Sequence, residues 1–315
     1  MPNELPSTVR YVKNGPGGPL GGKWWVTAKE RAQLHAGWKI VPDSLLSDPN
    51  YSEIEAIIRR EIQDQGAAKR DYNALCHLLQ APSRHLWLTF EERSLWWCTV
   101  KDGAHQNPNK NDTAKGNFWL ECDRPWSKIS LNGKQLSVTT LPGVVTTVSG
   151  FRATVCIPRA QEEIRRAIKG EVHPDVTTAA TKRNEFEGAV AKIISLLRWW
   201  DFEELIELIL ARTGWQRTSK VGDQQKGIDI DAENPAIGEI AFVQVKSEAD
   251  QAVLDSYVQQ FTDQRDRYAR MIFAMHSARE LTIPSDLPVQ VWGLEHIAEL
   301  VVKLGLAEWV ERKVA

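Results

Sequence analysis

The chain has 315 residues, 42% hydrophobic and 25% charged, with a formal net charge of −2. That is the composition of an ordinary soluble globular protein of one or two domains, long enough to bury a sizeable core. The sequence holds no run of about 18 apolar residues, and its start, MPNELPST, lacks an apolar signal-peptide core, so a membrane span is excluded and the expected location is the cytoplasm.

NGPGGPLGG, residues 14–22, is too rich in Gly and Pro for regular structure and predicts a loop after an N-terminal arm. Helices are predicted near 52–64 and 68–80. From about residue 85 the pattern turns to β. HLWLTF, SLWWCTV, GNFWLEC, KQLSVTT and GFRATVCI are short aromatic and β-branched runs, separated by DG, NPN and NG signals. A charged helix over 159–169 leads into GEVHPDVTTAATK, whose small, polar and Pro residues predict a linker. The expected organisation is therefore an α+β, Trp-rich domain over 1–158, a helix and linker over 159–181, and a second domain over 182–315.

In the second domain, NEFEGAVAKIISLLRWW places Phe186, Val190, Ile193, Ile194 and Leu197 on one helical face. DFEELIELILAR does the same with Phe202, Leu205, Ile206, Ile209 and Leu210. GWQRTSKVG, KGIDIDA and GEIAFVQVK then read as three strands, followed by a helix over about 249–268, strands MIFAMHS and VQVWG, and an amphipathic helix from Glu295. Mixed strands and helices in this order predict an α/β fold, a mixed sheet flanked by helices.

The cysteines, Cys76, Cys98, Cys122 and Cys156, form no CxxC pair; they predict buried thiols and no zinc site. Cys76 and His77 are sequence neighbours on a helix and point in different directions. Residues 1–181 carry 23 Lys and Arg against 19 Asp and Glu, a balance of +4, while residues 182–315 carry 16 against 22, a balance of −6. A nucleic-acid partner is better served by the N-terminal part.

One stretch breaks the core pattern. In GIDIDAENPAIGEIAFVQVKS, residues 227–247, Gln244 and Lys246 interrupt a buried strand and Asp229 lies between two isoleucines. Strand alternation puts Gln244 and Lys246 on one face and Val243 and Val245 on the other. The ENPAIG turn predicts a hairpin that brings Asp229 to the Gln244/Lys246 face. Burying an acid, an amide and an amine together costs several kcal/mol unless they pair or hold a metal. Asp229 and the Gln244 carbonyl are hard oxygen donors of the kind Mg²⁺ takes, and Lys246 would lie beside the attacking water. Asp231 shares the face of Asp229 and is expected to be a solvated acid at a strand end rather than a second ligand.

These residues resemble the Mrr-like restriction endonucleases of the PD-(D/E)xK superfamily. The resemblance spans about 182–305 and rests on DFEELIELILARTGW, on GIDI with Asp229, on QVK (Gln244, Val245, Lys246) and on VQVWGLEHIAEL. Gln244 stands where the commoner pattern has an acid, a replacement that Mrr-like members share. The resemblance implies a Mg²⁺ site, with Mn²⁺ as a substitute, held by Glu203, Asp229, the Gln244 side chain and the Val245 backbone carbonyl. Lys246 orients or deprotonates a water. Glu203 is preferred to Glu187 as the helix carboxylate because its helix runs directly into the following strand, and Glu204 is expected to cap that helix with Asp201.

On the helix after the motif, Gln260 and Arg267 are candidates for contacts to DNA phosphates; a solvated face explains them equally well. His276 is expected to be packed rather than a ligand. Of 13 tryptophans, eight precede residue 127. They are expected mainly in a core, with one or two exposed as a platform for nucleic acid. Alternation in Trp96-Trp97 puts one ring in and the other out. The leading expectation is a Mg²⁺-dependent DNA endonuclease acting in restriction or defence. It would be a homodimer with an N-terminal recognition domain, and a defence-system partner protein is left open. A structure-specific repair or recombination nuclease and a catalytically idle DNA-binding or sensor module are the alternatives, and RNA stays open as substrate.

Overall fold

The computed structural model describes residues 4–14, 24–109, 112, 115–151, 153–218, 229–276 and 281–315. The chain divides into two compact units, Met1–His173 and Pro174–Ala315.

Unit 1 runs β1 (Thr8–Val12), α1 (Trp25–Arg31), β2 (Gln33–Ala36), α2 (Asp43–Ser47), α3 (Tyr51–Glu61), α4 (Gln65–Leu79), β3 (His85–Glu91), β4 (Ser94–Gln106), β5 (Phe118–Ser127), α5 (Gly143–Thr146), β6 (Val155–Cys156) and α6 (Gln161–Lys169). Asn50 and Asp64 cap α3 and α4 by accepting from the Glu53 and Ala67 N–H groups. The six strands form one sheet in the order β2-β5-β4-β3-β1-β6, with β1 parallel to β3. Trp87, Trp96 and Cys98 meet α1 to α4 on one face, and Leu86, Leu88 and Trp97 meet Val145, Ile164 and Ile168 on the other.

That two-sided cover corrects the expectation for Trp96-Trp97. The rings do point to opposite faces, yet both are buried, at 7% and 4% exposure, because helices cover each face. None of the eight N-terminal tryptophans is exposed; Trp24 and Trp119 are half-buried. KQLSVTT makes only isolated bridges, through Gln135 and Ser137. GFRATVCI contributes only the two residues of β6. The DG pair at Asp102-Gly103 lies within β4. The β3–β4 hairpin turns instead at Glu92 and Arg93, both at positive φ (50° and 56°). Of the 14–22 loop, residues 15–22 lie outside the described residues. All four cysteines are free.

Unit 2 runs α7 (Pro174–Ile194), α8 (Trp199–Arg212), β7 (Gln216–Arg217), β8 (Ile230–Asn234), β9 (Glu239–Lys246), α9 (Gln251–Asp263), β10 (Arg270–Met275), β11 (Val289–Trp292), α10 (Leu294–Lys303) and α11 (Ala307–Val314). From Pro174 the segment expected to be a linker is helical. Pro suits the first helical position, and the alanines and Lys182 that follow are good helix formers. The helix is exposed as far as Phe186, which is 44% exposed rather than buried; Val190 and Ile194 reach the core.

The second sheet has the order β11-β10-β9-β8-β7. The β8–β9 hairpin is antiparallel, and β10 runs parallel to both β9 and β11. The turn closes through Gly238 (φ 68°), whose N–H donates to the Asn234 carbonyl at 2.9 Å. Ala241, Val243 and Val245 face α7, α8, α10 and α11, while Phe242 faces Leu254 and Phe261 of α9. Of KGIDIDA and GWQRTSKVG, residues 219–228 lie outside the described residues.

Candidate active site

The hairpin register determines which side chains meet. The last β8–β9 pair is Ile230 with Val243, so Asp229, one step before β8, comes opposite Gln244 on the α9 face. One Asp229 carboxylate oxygen, Oδ2, accepts from the Val245 N–H at 2.9 Å and from Lys246 Nζ at 3.3 Å. It is also in close contact with the donating Gln244 Nε2. The three side chains singled out from the sequence therefore converge on a single atom. Lys246 Nζ also lies 5.3 Å from the centre of the Tyr257 ring on α9, within cation–π range.

Gln244 lies on the central strand and is 0% exposed. Its Oε1 has no hydrogen-bond partner among the described residues. A buried carbonyl oxygen left unpaired costs about 1–3 kcal/mol. The N–H and C=O of a strand residue project to the same side, so the Val245 carbonyl is turned to the β8 side, as its N–H is.

Glu203 on α8 is in electrostatic reach of this corner. Burial raises its pKa above the usual carboxylate value and the Asp229 charge adds to the rise, while Arg217 and Lys246 pull it down. Arg217 Nη1 is 3.8 Å from Glu203 Oε1 and in close contact with Glu207, one turn further along α8. Its Nη2 donates to the Asp229 backbone carbonyl at 3.3 Å. Glu187 is half-buried on α7 and is not among the charges acting on Glu203. Arg217, Glu207 and Tyr257 were not singled out from the sequence. The apolar spacing Leu254, Tyr257, Phe261 was the available signal for Tyr257; nothing local marked Arg217.

Several expectations are corrected. Asp201 does not cap α8, whose cap position is Arg198, because Trp199 and Trp200 already belong to the helix. Asp201 and Glu204 instead pair with Lys313 at 3.0 and 2.7 Å. Asp231 is not a solvated acid: at 4% exposure it accepts from Tyr268 Oη at 2.6 Å and Arg267 Nη2 at 2.7 Å. The Arg267 guanidinium is thus engaged with Asp231 and lies 5.0 Å from the Tyr268 ring. Gln260 is half-buried on α9. His276 packs edge-on against Phe202 at 4.5 Å, and burial lowers its pKa.

Two carboxylates and a buried unpaired amide oxygen, with the Val245 main chain beside them, make an oxygen-rich corner suited to a hard divalent cation. No group of three His, Cys, Asp or Glu side chains stands ready for a metal among the described residues; the donor set here depends on the amide and the main chain. No described helix is long and apolar enough to cross a membrane. No curated protein and no solved structure gives a significant match to the chain. The family model for the Mrr-type restriction endonuclease catalytic domain matches residues 194–280, a segment that contains Glu203, Asp229, Gln244 and Lys246. Residues 194–280 accordingly carry the likeness to the Mrr-type restriction-endonuclease catalytic domain that the sequence resemblance implied.

Proposed function

We propose that the chain is a Mg²⁺-dependent endonuclease that hydrolyses phosphodiester bonds of foreign or modified DNA, with unit 1 recognising the target. The observation that carries this reading is the convergence of Gln244, Val245 and Lys246 on Asp229 Oδ2 within the matched segment.

Asp229, Glu203, the Gln244 Oε1 and the Val245 carbonyl would hold the metal, Mn²⁺ serving in place of Mg²⁺. When bound, the cation supplies an acidified water and neutralises charge on the phosphate oxygens. Lys246, held between Asp229 and the Tyr257 ring, orients the attacking water or takes its proton. Attack on phosphorus in line breaks the bond to the 3′ oxygen and leaves a 5′-phosphate and a 3′-hydroxyl. Cutting both strands calls for two such sites, and a homodimer supplies them.

The test is cleavage of plasmid and methylated duplex DNA by purified protein, with Mg²⁺ and with EDTA. Wild type cuts only with the metal. Lys246→Ala lowers the rate by about a hundredfold or more and melts at nearly the same temperature, since Lys246 is partly exposed (31%). Undiminished cutting by Lys246→Ala would remove this site from the reaction.

A further inference from the structure

Unit 1 contains a buried cation with no counter-charge among the described residues. Arg10 on β1 is 8% exposed. Its Nε donates to His77 Nδ1 on α4 at 3.4 Å, and its Nη1 donates to the Val9 carbonyl at 2.9 Å. Beside it, Thr8 Oγ1 donates to the Arg84 carbonyl at 3.1 Å and lies 2.6 Å from His85 Nδ1 on β3. The two imidazoles meet edge-on with centres 6.3 Å apart. Among the described residues no carboxylate pairs with Arg10. Among the described residues, the neighbours that act electrostatically on His77 and His85 are Arg10 and Arg84, with His77 also acting on His85; none is a carboxylate.

An unpaired buried guanidinium costs several kcal/mol, and neutral imidazoles do not offset it. The hydrogen bonds also dictate the ring tautomers. His77 Nδ1 accepts from Arg10, which leaves its Nε2–H as a donor. The Thr8 hydroxyl hydrogen goes to the Arg84 carbonyl, so His85 Nδ1–H donates to Thr8 Oγ1 and holds that ring in place. The Arg10 guanidinium and the His77 Nε2–H suit the oxygens of a phosphate, and the same N-terminal part carries the chain's positive balance.

We propose that Arg10 and His77, with His85 packed edge-on beside His77, form a binding site for a phosphate group on unit 1. The site is separate from the Asp229–Lys246 corner and stands whether or not that corner cuts DNA. The phosphate comes either from a nucleic-acid backbone or from a nucleoside monophosphate.

The experiment uses the full chain in EDTA, with thermal unfolding followed against inorganic phosphate at constant ionic strength and acetate as control. Wild type is stabilised saturably by phosphate and not by acetate. Arg10→Met keeps the stem, removes the charge and abolishes the response. His77→Phe keeps the ring, loses the donor and weakens the apparent affinity about tenfold. A wild type indifferent to phosphate, equal protection by acetate, or an undiminished response in Arg10→Met overturns the site. Should Arg10→Met not fold, an unchanged affinity in His77→Phe overturns it alone. Duplex DNA and thymidine 5′-monophosphate then separate the sources. A backbone phosphate predicts about tenfold weaker DNA binding by Arg10→Met and a salt slope shallower by about one. A nucleotide source predicts unchanged DNA binding and protection by the monophosphate.

Discussion

His35 on β2 has 0% exposure, and neither ring nitrogen has a partner among the described residues. Burial, followed by Lys115 and Arg31, pushes its pKa down to about 4, with Asp112 opposing. Folded His35 is therefore neutral at pH values where an unfolded histidine, titrating near 6.5, already binds a proton. The stability linked to it is complete above about pH 6.5 and is lost as the pH falls toward 4. Linkage sets the loss at about 2 kcal/mol by pH 5. His35→Phe should lose about that much less than wild type between pH 7 and pH 5 in urea unfolding, and parallel curves would refute the assignment. Gln244 is a second fully buried polar residue of consequence. Its position on an alternating strand was legible because an amide among Phe242, Val243 and Val245 breaks the pattern. That Oε1 lacks a partner depends on every neighbour at once and was not legible.

At the scale of elements, the β8–β9 hairpin does most to assemble the candidate site. Asn234 and Gly238 set the turn, the turn sets the register, and the register puts Asp229 opposite Gln244. A slip of one residue would send Asp229 to the other face. Asp231, two residues on, ties β8 to the segment between α9 and β10 through Tyr268 and Arg267. Asp231→Ala leaves a buried phenol unpaired and should cost about 2–4 kcal/mol, measured by chemical unfolding. Mn²⁺ affinity should stay unchanged, whereas a matching loss of metal binding would make Asp231 a ligand. The sequence showed this acid on the right face, but Tyr268 lies 37 residues away. Likewise, periodicity gives the facing of Trp96 and Trp97 and cannot reveal that a second layer covers each face.

Across the whole molecule, each unit has its own apolar clusters. Trp87, Phe118 and Ile54 belong to unit 1, and Phe202, Val243 and Ile297 to unit 2. Residues 174–315 expressed alone should unfold cooperatively and keep Mg²⁺-dependent cutting while losing preference among DNA targets. A fragment that is unfolded, or equally selective, would contradict the division of labour proposed here. Local order along the chain was enough to predict the helix–strand succession of unit 2 as far as α10, the hairpin, the likeness matched over residues 194–280 and the Asp229–Gln244–Lys246 set, but not the separate last helix α11. Periodicity, turn chemistry and polar intrusions act between near neighbours, so a linear reading captures them. Tertiary structure alone decided the helical start at Pro174, the burial of six of the eight N-terminal tryptophans, the pairing of Asp201 with Lys313 and the want of a carboxylate partner for Arg10 among the described residues. Each of these depends on which distant surface covers a residue or leaves it uncovered, and chain order does not encode that.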